Sequence, residues 1–249
     1  MALFAFLGDI HGRFAEAAVW TARAVKAAGP LDAVVAVGDV QANRDDADVD
    51  ATHQPRRHRE LGDFPRVLAG EITFPAPVHF IGGNHEPWAP LDALGSGEWA
   101  PGWTFLGRAG VTQIAAQQVA FLSGIAPPED PVPERAKLTK HGETYFSAED
   151  LSTVRAAARR QRIDLLVTHD WPADLLPMFR GHYVGSDAMR RLVEDVSPAL
   201  HVAGHVHLAH RDEVGASCFV ALDRVGWDHP GCVAVFDMSE GAAREVAIS

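Results

Sequence analysis

Five short apolar runs, at 2–7, 33–37, 76–81, 163–168 and 199–203, each give way at once to Gly or His. Runs of this length, rich in Val, Ile, Leu, Phe and Ala and stopped by polar or turn-forming residues, read as buried strands that end in polar loops. Helical patterns lie between several of them, at 14–28, about 57–69, 147–161 and 186–196, which is the alternation of a layered α/β protein. The last third changes character: 206–214, 216–222, 231–237 and 243–248 are strand candidates with no helix between them, so mixed sheets are expected. Residues 126–143, APPEDPVPERAKLTKHGE, fit neither period and are expected as a long loop within a single domain spanning 1–249.

Composition narrows the function. Lys and Arg number 22 against 33 Asp and Glu, a net charge of -11, so the surface as a whole does not attract a phosphate backbone and any nucleic-acid contact has to be local. Arg56-Arg57-His58-Arg59 and Arg159-Arg160-Gln161-Arg162 are the local basic clusters. The two cysteines, Cys218 and Cys232, have no C-x-x-C spacing and suggest neither a disulfide framework nor a thiolate metal site. No apolar stretch approaches the roughly 20 residues of a membrane span, and the first residues lack a basic start and a cleavage pattern. No membrane partner is expected, and the cytoplasm is the expected compartment.

The residues at the end of each run carry the chemistry. They read Gly8-Asp9-Ile10-His11, Gly38-Asp39, Gly82-Gly83-Asn84-His85-Glu86, Thr168-His169-Asp170 and Gly204-His205-Val206-His207. If the strands are neighbours, these loops gather at one edge, where open α/β sheets bind ligands. D-x-H and H-x-H place alternate side chains on one side of an extended chain, so each pair can face one metal ion. Carboxylate, imidazole and amide oxygen together suit Mn²⁺, Fe²⁺ or Zn²⁺ better than a thiolate-loving ion.

The ordered set D-x-H, G-D, G-N-H-E, H and G-H-x-H resembles the signature of the calcineurin-like metallophosphoesterase superfamily over residues 8 to 207. The resemblance implies a double mixed β-sheet sandwich flanked by helices and two divalent metal ions, with Mn²⁺ preferred and Fe²⁺ or Zn²⁺ as alternatives. It implies one ion held by Asp9, His11, Asp39 and His207, and a second by Asp39, Asn84, His169 and His205, with Asp39 bridging. Two ions roughly 3.5–4 Å apart share and activate a hydroxide for phosphoester hydrolysis. His85 is then the catalytic residue that protonates the leaving group.

The strings between these motifs, GDVQANRDDADVD, FIGGNHEPW, WTFLGRAGV and THDWP, are similar to those of RNA lariat debranching enzymes, with Asp9 standing where that family commonly has Cys. This implies a phosphodiester substrate, a nucleotide or short RNA, with 2′,5′ linkages included. Trp88 and Tyr145 are expected to stack on a base, and Arg44 and Lys140 to meet phosphates. A phosphomonoesterase or protein phosphatase is the alternative, although Ala42 occupies the position where protein phosphatases have the Asp partner of their catalytic His. A non-catalytic metal-binding interaction scaffold is the alternative from another class.

Overall fold

The computed structural model describes residues 2–54, 59–138, 141–176, 178, 179, 181, 183–239 and 242–248. Its elements in chain order are β1 (Leu3–Leu7), α1 (Phe14–Ala28), β2 (Ala33–Ala36), α2 (Asp46–Asp50), α3 (Phe64–Leu68), β3 (Val78–Phe80), α4 (Trp88–Leu94), β4 (Gly97–Ala100), β5 (Trp103–Phe105), β6 (Ala109–Ile114), β7 (Gln117–Leu122), α5 (Ala148–Ala158), β8 (Leu165–Thr168), α6 (Asp187–Val196), β9 (Leu200–Ala203), β10 (His210–Val214), β11 (Ser217–Ala221), β12 (Val233–Asp237) and β13 (Arg244–Val246). They form a seven-stranded sheet in the order β13-β12-β1-β2-β3-β5-β4 and a six-stranded sheet in the order β10-β11-β9-β8-β7-β6. In the first, β1, β2, β3 and β5 run parallel; in the second, β11, β9, β8 and β7 do. Antiparallel strands edge both, so the expected double mixed sheet is what forms.

The first apolar run shows why these strands are continuous rather than alternating. Phe4 and Phe6 join Val35 and Val37 against Phe121, Val167 and Val202 of the second sheet, while Leu3, Ala5 and Leu7 face the other way, toward Phe14 and Trp20 of α1. A parallel strand covered on both faces has no polar side. Each fully buried Phe contributes about 1.5–3 kcal/mol relative to exposure. A third cluster packs α5 and α6 on the outer face of the second sheet through Leu151, Leu166 and Leu192. Ser147 and Asp150 close a capping box at the start of α5, and Ser186 caps α6.

Two expectations are corrected and one element is added. The helix expected at about 57–69 is only Phe64–Leu68, and its N-cap Asp63 serves a second helix as well. The Asp63 carboxylate accepts the N–H groups of Phe14 and Ala15 at 2.5 and 3.0 Å, capping α1 from a distance in sequence. The strand expected from 206 begins at His210, because His205 and His207 are held in turns. The β6–β7 hairpin was not expected at all. Both residues of its tight turn, Ala115 and Ala116, have positive φ, a conformation that Asn-Gly ordinarily marks in a sequence and alanine does not.

Candidate metal centre

Every strand end delivers one part of a cluster. The loop after β1 carries Asp9 and His11, that after β2 Asp39, that after β3 Asn84 and His85, and those after β8 and β9 His169, His205 and His207. The first three strands belong to one sheet and the last two to the other, so the cluster straddles both. Convergence is not by strand alternation. His11, Asp39, His205 and His207 all have left-handed backbones, with φ of 47°, 47°, 70° and 55°. Each such non-glycine residue costs about 1–3 kcal/mol, and strain of this kind gathers where it serves a site.

The kinks also separate the H-x-H pair, which an extended chain would turn to one side and which the family resemblance divides between two ions. His207 Nε2 lies 2.9 Å from His11 Nε2 and 3.0 Å from Asp9 Oδ2. His205 turns instead to His169, with ring centroids 5.0 Å apart. Two groups result, Asp9-His11-His207 and Asp9-Asp39-His169, each with its ligand atoms within 4.8 Å of one another. Asp39 faces both, Oδ1 lying 3.4 Å from His169 Nε2 and Oδ2 3.9 Å from His11 Nε2. His85 sits at the border: its N–H donates to Asp39 Oδ1, its Nε2 is 3.9 Å from Asp39 Oδ2, and its side chain keeps 34% exposure.

The donor set fits divalent ions. Asn84 Oδ1 is buried without a hydrogen-bond partner, and Asp9 Oδ2 and His169 Nε2 have close ionic neighbours in His207 and Asp39 but no well-aligned hydrogen bond, a donor set that a cation would satisfy. Charge demand points the same way. Burial works against a charge on His169, but Asp39 and Asp9 outweigh it and push this imidazole up to about 10. Burial likewise opposes the charge on Asp39, yet His169 and the other imidazoles hold its carboxyl well below the usual range. Two carboxylates in a dry pocket call for positive charge, the demand that raises His169 and that a divalent ion would meet. No thiolate competes, since burial pushes Cys232 up to about 12.

Glycines at the strand ends make room for ligands from other loops. A Cβ on Gly83 would stand 2.2 Å from Asp39 Oδ1 and 2.6 Å from His169 Nε2, and one on Gly204 2.3 Å from Asp9 Oδ1. The loops are also clamped together. Glu86 is buried, and its carboxylate accepts the backbone N–H groups of Val40, Gln41 and Gly83 at 2.7, 3.0 and 3.3 Å. Burial and the charge of Asp39 raise it to about 7. From sequence Glu86 has no assigned role, although it closes the Gly-Asn-His-Glu string.

Two cavities open on the cluster. One, of 310 Å³, is lined by His11, His85 and His207 together with Arg13 and Arg224. The other, of 460 Å³, reaches His205 and Asp170 and is walled by Pro127, Phe179, Tyr183 and Val206. Sequence reasoning missed Arg13, Arg224, Phe179 and Tyr183. For Arg224 a signal existed: it follows the apolar run 216–222 as the ligands follow theirs.

The expected substrate contacts fare differently. Trp88 is 1% exposed beneath its loop with the Arg108 guanidinium 3.5 Å above its ring, so it offers no face to a base. Arg44 forks onto Asp48 at 2.8 and 3.0 Å and stacks on Trp99 at 3.7 Å, which commits its charge to the fold. Tyr145 is half-buried, its backbone bridged to Ile125, and no contact among the described residues joins it to the cluster. Lys140 and the basic residues Arg56, Arg57 and His58 lie outside the described residues.

A double sheet carries this cluster at its loop edge, and residues 2–209 match the calcineurin-like phosphoesterases; the chain belongs to that family. Among curated proteins it is similar to a lariat debranching enzyme of Arabidopsis thaliana, 28% identical over 227 residues, covering 78% of this chain and 53% of the relative. The debranching enzyme of Entamoeba histolytica is 25% identical over 90% of this chain and 69% of its own length. This chain thus spans about half the Arabidopsis relative. Among solved structures, a dimetal phosphatase from Danio rerio superposes with a TM-score of 0.57 at 14% identity, covering 100% of this chain and 99% of the other, a likeness of fold. Among the described residues no helix is long and apolar enough to cross a membrane.

Proposed function

We propose that this chain hydrolyses phosphodiesters of nucleotides or short RNA, 2′,5′-linked ones included, at a centre of two divalent ions. The observation that carries this reading is the pair of cavities that open on one cluster, one at His11, His85 and His207 and the other at His205. A phosphorus held at the cluster has room for two ester arms, where a monoester needs one. The apolar wall with Phe179 and Tyr183 suits a base or sugar face. The debranching relatives support the same substrate class.

Asp9, His11, Asp39 and His207 would hold one ion and Asp39, Asn84, His169 and His205 the other. Mn²⁺ is the first choice for this oxygen and imidazole set, with Fe²⁺ and Zn²⁺ next. Bound there, such ions supply an activated water and neutralise phosphoryl charge. The remaining work belongs to the chain. Gly83 and Gly204 keep the ligand atoms in contact, Glu86 fixes the Asp39 and Asn84 loops to each other, and His85 stands at the cavity border to give a proton to the departing oxygen.

The test compares kcat/KM of the Mn²⁺-loaded protein on bis-nitrophenyl and mono-nitrophenyl phosphate, then on 2′,5′- and 3′,5′-linked dinucleotides. The diester should be preferred, and His85→Ala should lower the rate by roughly 10²–10⁴ with metal content kept, less so for nitrophenol as leaving group. A preference for the monoester would install the phosphomonoesterase alternative. A metal-loaded protein inactive on all four would install the scaffold.

A further inference from the structure

The cavity beside His85 is graded in exposure. At its floor His11, His207 and His85 expose 21%, 28% and 34% of their side chains, and at its mouth Arg13 exposes 51% and Arg224 is exposed. The floor is where a scissile phosphate would meet the cluster. A guanidinium at the mouth faces a group further along the substrate.

Both arginines are held by their backbones but not by their charges. Val225 N–H donates to Asp9 O at 2.8 Å and Asp223 N–H to Gly231 O at 2.9 Å, which presses the 223–225 loop onto the loop of the first ligand. Arg224 N–H is itself taken by Asp223 Oδ1 at 2.7 Å. Arg13 lies between Gly12, whose N–H donates to Val40 O at 3.1 Å, and Phe14, whose N–H is fixed on Asp63. At the other end of these side chains partners are few among the described residues. Among the described residues Arg224 makes no ion pair, and Arg13 has only Glu16 at 3.8 Å. Elsewhere Arg44, Arg108, Arg135 and Arg211 are each closed onto a carboxylate. Glu60 is the one carboxylate among the lining residues, and Glu16, 3.8 Å from Arg13, stands outside them.

Resting on the diesterase reading, we infer that Arg13 and Arg224 bind a second, non-scissile phosphate, so that the preferred substrate is a nucleotide diester with a further phosphate on the arm lodged in this cavity. Guanidinium suits such a ligand, since its forked donors match phosphate oxygens; Arg224 has no ion pair among the described residues, and Arg13 has only the 3.8 Å contact of Glu16 to give up. A net charge of -11 makes this local pair the means of recruiting that phosphate.

The experiment takes a dinucleoside monophosphate and its 5′- and 3′-phosphorylated forms, and reads the ratio of kcat/KM for each phosphorylated form to that of the parent. In the unmodified protein one ratio should be roughly tenfold or more, as a charge-assisted hydrogen bond allows. Arg224→Ala and Arg13→Ala should each bring it toward one, and Arg224→Lys should restore part of it. Calorimetry on metal-stripped protein should show the same ordering of affinities for the parent and phosphorylated forms. Ratios near one in the unmodified protein, or an unchanged ratio in both alanine variants, would overturn the inference. So would equal losses on all three dinucleotides, which would assign the arginines to the scissile group or the fold. Failure of the diesterase reading is separate, because it shows as inactivity of the unmodified protein on the parent.

Discussion

His169 and His201 are both fully buried, and the residue before one touches the other: Thr168 Oγ1 lies 2.8 Å from His201 Nε2. Their chemistry is opposite. In the sheet interior, burial alone acts on His201 and pushes it down to about 3. At the loop edge the same burial is overcome by Asp39 and Asp9, and His169 is pushed up to about 10. Burial is therefore not what distinguishes the candidate centre. Its mark is burial together with carboxylates, strained backbones and polar atoms left without partners.

The contrast between the two histidines is put at most risk by substituting both alike. His169→Gln should lower diester hydrolysis by roughly 10³-fold or more, since several kcal/mol of charge stabilisation depend on the ion it would hold. His201→Gln keeps a group that can meet Thr168 and should stay within a few-fold of the parent rate. Comparable losses in both would show that any buried polar residue here is equally critical.

Glu86 refines the contrast from the side of positioning. Glu86→Gln keeps the shape of the clamp but removes the charge that gathers three backbone N–H groups. Metal affinity should weaken by roughly 10–100-fold, the scale of outer partners in metal sites, with folding retained by circular dichroism. Added metal should recover much of the rate. A loss that excess metal leaves untouched would assign Glu86 to the chemistry itself.

Stability should respond least. With a folded value near 3 and an unfolded one near 6.5, His201 takes up a proton only in the unfolded chain as pH falls between them. Stability is lost on acidification across that window, by up to about 1.4 kcal/mol per pH unit for one proton. Urea denaturation of His201→Gln should show a correspondingly shallower pH dependence than the parent between about pH 6.5 and pH 4. Equal slopes would contradict a neutral buried imidazole.

How far the sequence shows this fold depends on the element. The buried strands β1, β2, β8 and β9 are legible because parallel strands covered on both faces leave unbroken apolar runs. The candidate ligands are legible because a residue type that binds metal stands within three residues of the end of each run. The β6–β7 hairpin is not, since Ala115-Ala116 adopt a turn their chemistry does not announce. Trp88 reads as an exposed aromatic beside a loop, and only Arg108, twenty residues on, shows that it is covered. Glu86 has no visible role in the sequence because its partners are backbone groups of another loop. The split of His205 from His207 depends on φ values that a strand-like H-x-H spacing conceals.

Everything proposed for this centre depends on two ions sharing one cluster, and counting them decides the matter. Elemental analysis after saturation with Mn²⁺ and removal of free metal should give close to two ions per chain, with fewer in Asp9→Ala and His169→Gln and no change in His201→Gln. A firm value of one ion per chain, unaffected by Asp9→Ala, would contradict a shared two-ion centre.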